Sequence, residues 1–199
     1  MIHPGQEFVV PEEYLAREEN AVYKSEYRDG EIIALAGASL NHNQITINLT
    51  TDLAQRLKTR PCRIFSNDVR LYIAKSRLYT YPDVMIVCGK IEVDPRQKDT
   101  LTNPTAIVEV WSDSTKPYDR GEKFAMYRQI PSLREYVMVD QEQPYVEHYR
   151  HDGHFWVLEA LEGLQAKLNL PSIDVEIALE TIYSQVEWEE KPKRGKRSK

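Results

Sequence analysis

The sequence predicts an α/β chain, a mixed β-sheet with helices packed against it, and three observations carry that prediction. Over residues 39–58 the apolar side chains Ile45, Leu49, Leu53 and Leu57 recur every four positions, the spacing of one face of a helix. Residues 84–88 form a continuously apolar run, and residues 106–110 repeat the pattern with only Glu109 interrupting it, as expected of central strands covered on both faces. Elsewhere Val69, Leu71 and Ile73 alternate with Asp68, Arg70 and Tyr72, the period of two that marks a half-buried strand.

Taken in order, PEEYLAREEN begins with a proline suited to a first helical turn and continues with good helix formers, so a short helix is expected up to Asn20. YKSEYRDGEIIALAG places Asp29-Gly30 between two strand-forming runs, a tight hairpin with Glu26 on its first arm. Ser39 then offers an N-cap for the amphipathic helix 39–58. CRIFSNDVRLYIA reads as one or two strands and TYPDVMIVC as a central one. A loop of about 15 residues, GKIEVDPRQKDTLTN, is expected before the second central strand, TAIVEVWS. SDSTKPYDRGEKFAMYRQIPS predicts a helix of about three turns, opened near Pro117 and stopped by Pro131. LREYVMVDQ and PYVEHYRHDGHFWVLEAL supply three more strands, the last two joined at Asp152-Gly153. VEIALETIYSQVEW reads as a C-terminal helix.

At 199 residues the chain suits a single domain, expected over residues 1–190. The last nine residues, 191–199, carry six basic side chains and no acid, so the net charge of -5 becomes -11 once they are set aside. Such a run reads as a solvated disordered tail ahead of a nucleic-acid-binding arm. No stretch approaches the roughly 20 apolar residues needed to cross a bilayer, so no membrane partner is expected. The N-terminal residues lack a basic region followed by an apolar run, and a cytoplasmic protein is the expectation. Cys62 and Cys88 stand 26 residues apart with no second pair, which argues against a zinc site or disulfide scaffold and suggests core thiols.

Two carboxylates break otherwise buried strands: Asp83, directly before the 84–88 run, and Glu109. A buried, ionised carboxylate is costly unless it is paired, protonated or bound to a cation. If neighbouring strands bring both acids together, a shared divalent ion, best Mg²⁺ or Mn²⁺, offsets their repulsion. The alternative is that each meets its own arginine or backbone amide. In YDRGEKFAMYR, Asp119, Lys123 and Tyr127 fall on one helix face, and this helix starts within eight residues of Glu109. Asp119 and Lys123 can equally be a surface ion pair.

YKSEYRDGEIIALAG, the helix with His42, SNDVRLYI, TYPDVMIVC, NPTAIVEVWSDST, YDRGEKFAMYRQIPSLREYVMVDQ and VEHYR together resemble the Uma-type putative restriction endonuclease family, within the PD-(D/E)XK nuclease superfamily. The likeness covers roughly residues 10–185. It implies a restriction-endonuclease-like core with a metal site at one sheet edge. Asp83 in Tyr81-Pro82-Asp83 takes the place of the superfamily's first acid and Glu109 that of its second. The usual lysine, two residues after the second acid, would fall at Trp111, and Lys123 matches the position to which relatives move it. The resemblance also turns Glu26 and His42 toward the same site, although an exposed hairpin glutamate and a boundary histidine are the ordinary readings of those two.

The expected function is therefore metal-dependent phosphodiester hydrolysis of nucleic acid, DNA before RNA. Asp83, Glu109 and the backbone carbonyl of Val110 would hold the ion, and Lys123 would orient hydroxide. Arg120, one turn earlier, could hold a neighbouring phosphate or simply be solvated. A homodimer is expected by analogy with enzymes that cut both strands. Two competing expectations are a nucleic-acid-binding protein that keeps the fold without the chemistry, motivated by Trp111, and an interaction protein whose buried acids are structural.

Overall fold

The computed structural model describes residues 8–188, apart from 36 and 114. The expected basic tail, 191–199, lies outside the described residues. Helix α1, Pro11–Glu18, starts on its proline as anticipated. The hairpin of β1, Ser25–Arg28, and β2, Glu31–Ala34, turns at Asp29 and Gly30, both with positive φ, the conformation of a type I′ turn. Helix α2 spans Leu40–Leu57, with the Ser39 hydroxyl capping the backbone N–H of His42.

Two six-stranded sheets organise the chain. The larger runs β12-β11-β10-β9-β6-β3, built from β3 Cys62–Ser66, β6 Val84–Cys88, β9 Ala106–Trp111, β10 Glu135–Asp140, β11 Tyr145–His151 and β12 Trp156–Glu162. The smaller runs β2-β1-β5-β4-β8-β7, adding β4 Arg70–Ile73, β5 Leu78–Thr80, β7 Val93–Asp94 and β8 Gln97–Leu101. The segment expected as an open loop, 89–103, thus contains two strands. Most of its charged residues face outward while Asp94, Thr100 and Leu101 are buried, too short a hydrophobic signal to read from sequence.

A hairpin of β13, Lys167–Leu170, and β14, Val175–Ala178, follows. The C-terminal helix expected over 175–188 is corrected by it: only Leu179–Ile182 is helical, because Val175 and Ile177 alternate into the core as strand residues. The two cysteines are also corrected. Pairing of β3 with β6 sets Cys62 directly opposite Cys88, and they form a disulfide rather than free thiols.

Alternation along the larger sheet divides the core in two. Val84, Ile86, Val108, Val137 and Val139 pack on α2 and the β13–β14 hairpin. Met85, Val87, Ile107, Trp111 and Met138 face the other way. There they meet a helical segment, α3, over residues 116–127 that links the parallel strands β9 and β10. It has the expected three turns, but its middle, Asp119–Lys123, is π-helical, with the Phe124 N–H bonded to the Asp119 carbonyl. No helix among the described residues is long and apolar enough to cross a membrane.

Candidate active site

The antiparallel register of β6 on β9 pairs Val84 with Val108, so the next step outward sets Asp83 opposite Glu109. The two acids share the α3 side of the sheet with Met85, Ile107 and Trp111, as the period of two requires. They interlock through the backbone: the Asp83 N–H donates to Glu109 Oε2 at 3.3 Å, and the Val110 N–H donates to Asp83 Oδ2 at 2.8 Å. In a strand one residue's N–H and C=O lie along the same edge, so Val110 also directs its carbonyl toward the Asp83 side.

Four further elements converge on this pair. Tyr81-Pro82 carries the chain from β5 of the smaller sheet into β6 of the larger, bringing the β1 hairpin alongside. The register of β1 on β5 pairs Tyr27 with Tyr79 and so places Glu26 beside Thr80, whose hydroxyl donates to Glu26 Oε1. Glu26 is 3 % exposed, which removes the reading of a solvated hairpin glutamate. From α2, the His42 ring reaches Asp83, with Nε2 3.1 Å from Oδ2. From α3, Lys123 Nζ lies 3.0 Å from Glu109 Oε1, 3.3 Å from Glu26 Oε1 and 3.7 Å from Asp119 Oδ1. Lys123 and Asp119 are both buried, so they are not a surface ion pair. The Tyr127 hydroxyl completes the cluster, donating to Glu109 Oε1 at 2.6 Å.

Here four carboxylates, Glu26, Asp83, Glu109 and Asp119, share one lysine and one histidine. The electrostatics follow. Burial, resisted by Lys123 but reinforced by Asp83 and Asp119, pushes the Glu109 carboxyl up to about 8. Burial likewise raises Asp119 against the pull of Lys123. Lys123 would be lowered by burial, yet Glu109, Tyr127 and Glu26 hold it well above the ordinary lysine range. His42 too is opposed by burial, and its hydrogen bond to Asp83 with the surrounding acids raises it on balance.

Arg120 sits elsewhere. Its Nε donates to Glu147 Oε2 at 2.8 Å, and Glu147, fully buried on β11, also accepts from the hydroxyls of Tyr145 and Tyr149 at 3.0 and 3.1 Å. Thr80 is a contributor that sequence reasoning did not single out, while Asp119 and Tyr127 were named there only as sharing a helix face with Lys123. A threonine one strand residue before Tyr81-Pro82-Asp83, and a tyrosine one turn beyond Lys123, were the available signals.

A family model described as Uma2, putative restriction endonuclease, matches residues 11–180. This chain belongs to that family. The uncharacterized protein sll1609 of Synechocystis sp. is 45% identical over 157 residues, 78% of this chain and 89% of that one. The uncharacterized protein slr1290 of the same organism is 36% identical over 177 residues, 87% and 90% of the two chains. The crystal structure of a putative nuclease belonging to DUF820 from Anabaena variabilis superposes with a TM-score of 0.72 at 17% identity, covering 88% of this chain and 98% of that one. At that identity the likeness shows the fold, and the Uma2 chain has the restriction-endonuclease-like core that the sequence motifs implied.

Proposed function

We propose that this protein is a metal-dependent nuclease that hydrolyses phosphodiester bonds of DNA, with Asp83, Glu109 and Lys123 as its catalytic side chains. The observation that carries this reading is the meeting of Asp83 and Glu109 across β6 and β9 in a buried cluster where carboxylates outnumber cations. Among the described residues no three His, Cys, Asp or Glu side chains are grouped to enclose an ion by themselves. The pair of carboxylates is a donor set suited to Mg²⁺ or Mn²⁺, which take one or two carboxylates and complete their shell with carbonyl, water and phosphate oxygens. The donors that fit are Asp83, Glu109 and the carbonyl of Val110. A bound divalent ion would supply Lewis-acid polarisation of the phosphate and a lowered pKa for water.

The chain's own groups do the positioning. Lys123, anchored by Glu109 and Glu26, holds positive charge beside the acids, where it orients hydroxide and offsets charge developing on phosphate oxygen. His42 keeps a proton toward Asp83 Oδ2 and fixes that carboxylate's rotamer. Thr80 and Tyr127 do the same for Glu26 and Glu109. A homodimer would present two such centres to a duplex. A lysine within 3.0 Å of Glu109 favours catalysis over the reading in which Trp111 marks lost chemistry. The test is incubation with DNA and Mg²⁺ or Mn²⁺. Cleavage by the wild type that disappears in Asp83→Ala and in Glu109→Ala is expected, and cleavage surviving in both sinks the proposal.

A further inference from the structure

The basic side chains of α3 divide sharply by what they touch. Lys123 is buried among three carboxylates, and Arg120 is held by Glu147. Arg128, at the far end, lies over the Phe124 ring. Lys116, in the first turn beside the end of β9, shares the Trp111 ring with Arg120, whose guanidinium lies 6.0 Å from its centre, but differs from Arg120 and Lys123 in its partners. Among the described residues it has no carboxylate partner. Its ammonium rests 4.4 Å from the centre of the Trp111 ring and 5.6 Å from that of Tyr145, two rings that are themselves stacked at 6.2 Å.

Trp111 is what makes this placement meaningful. It follows Glu109 by two residues on β9 and, by alternation, projects to the same face. It occupies the position where the superfamily carries its lysine, and the structure lays a lysine ammonium on its ring. A cation on an aromatic face is held in place by the ring quadrupole without being neutralised. Its charge therefore stays available to an incoming anion, whereas that of Arg120 is taken up by Glu147. The indole is 1 % exposed, so it acts as a fixed shelf under the lysine rather than as a stacking surface for bases.

We infer that Lys116, seated on Trp111, is a phosphate-contact residue of this site, binding the DNA backbone beside the bond to be cleaved. Lys123 then acts among the acids at the reacting bond, and Lys116 adds a contact to the flanking backbone. The inference rests on the nuclease reading above and adds a substrate contact to it. Because the contact is to phosphate, it is blind to base sequence.

The experiment measures binding of a fluorescent DNA duplex to wild type, Lys116→Gln and Trp111→Phe in Ca²⁺ across a salt series, followed by cleavage kinetics in Mg²⁺. Lys116→Gln, on a partly buried side chain, is expected to weaken binding alike for unrelated sequences and to lower the slope of log affinity against log salt by about 1. KM should rise more than kcat falls, and Trp111→Phe, which keeps a ring, should lie between wild type and Lys116→Gln. An unchanged salt slope and KM in Lys116→Gln, with a wild type that binds and cleaves, overturns this inference and leaves the nuclease reading standing. A wild type that neither binds nor cleaves DNA overturns both.

Discussion

Glu109 and Glu147 occupy the same row of the same sheet. Met138 of β10 pairs with Glu109 on one side and with Glu147 on the other, so the two acids flank one residue and share the α3 face. Both are buried, and α3 supplies a cation to each. Yet Glu147 has an arginine to itself and two tyrosine hydroxyls, whereas Glu109 divides one lysine with Glu26 and Asp119 and abuts Asp83. Burial of the first is balanced within the chain. The second is left among carboxylates that outnumber their cations, the imbalance on which the proposed cation-binding role rests.

The largest expected effect breaks the symmetry in activity. Glu109→Gln should lower kcat by about a thousandfold, the scale of losing several kcal/mol of charge stabilisation at a metal. Glu147→Gln should leave kcat within about threefold, since Glu147 contacts Arg120 and tyrosines rather than Asp83 or Lys123. Single-turnover cleavage of a defined duplex measures both. Equal losses in the two variants would erase the distinction.

Stability should separate them in sign. Metal-free Glu109 titrates at about 8 when folded against 4.5 in its ordinary state. Between those values the folded chain holds a proton that the unfolded chain has released, so raising the pH withdraws stability across that window and the loss is complete above it. Glu109→Gln cannot ionise, and in chelator at pH 8 it should be more stable than wild type by on the order of 2 kcal/mol. Glu147→Gln removes the acid that neutralises Arg120 and should cost about 2 kcal/mol, less than a wholly buried pair because the arginine is half exposed. Urea unfolding of both variants at pH 5 and pH 8 checks the signs and the pH dependence.

That contrast also explains what was legible in the sequence. Asp83 and Glu109 stood out because each interrupts an apolar strand, and the α2 stripe and the Asp29-Gly30 turn carry periodicity and φ requirements within a few residues. The partners were harder to see. Glu147 lies in a polar run, EHYR, where an acid looks ordinary, and its match to Arg120 depends on β11 lying two strands from β9. The Cys62–Cys88 bond likewise depends on the β3–β6 register. The β13–β14 hairpin was hidden because Glu176, Ala178 and Leu179 are good helix formers in a segment whose burial alternates by two. Local pattern revealed the elements and the acids, while tertiary pairing decided which acid is balanced.

A third expectation sharpens the comparison through metal affinity. An ion bound at Glu109 must displace its proton, so Mg²⁺ affinity measured by calorimetry should rise about tenfold per pH unit up to about 8 and then level off. The dependence should vanish in Glu109→Gln and persist in Glu147→Gln. A flat profile in the wild type would mean that Glu109 is not a ligand.

The smallest effect concerns Tyr127, whose hydroxyl donates to Glu109 Oε1 at 2.6 Å and favours the ionised carboxylate. Tyr127→Phe keeps the ring in its packed position and removes only that donor. A hydrogen bond to a charged group is worth about 1.5–3 kcal/mol, so kcat should fall by roughly tenfold to a hundredfold, less than in Glu109→Gln. The diagnostic is direction rather than size: with the donor gone, Glu109 binds its proton more tightly, and the plateau of Mg²⁺ affinity should move to higher pH. Tyr149→Phe removes the equivalent hydroxyl from Glu147 and should leave that plateau where it is. A plateau shifted equally by both would show that the tyrosines act through general packing of α3 on the sheet, and the assignment of Tyr127 as the residue that sets the charge of Glu109 would fall.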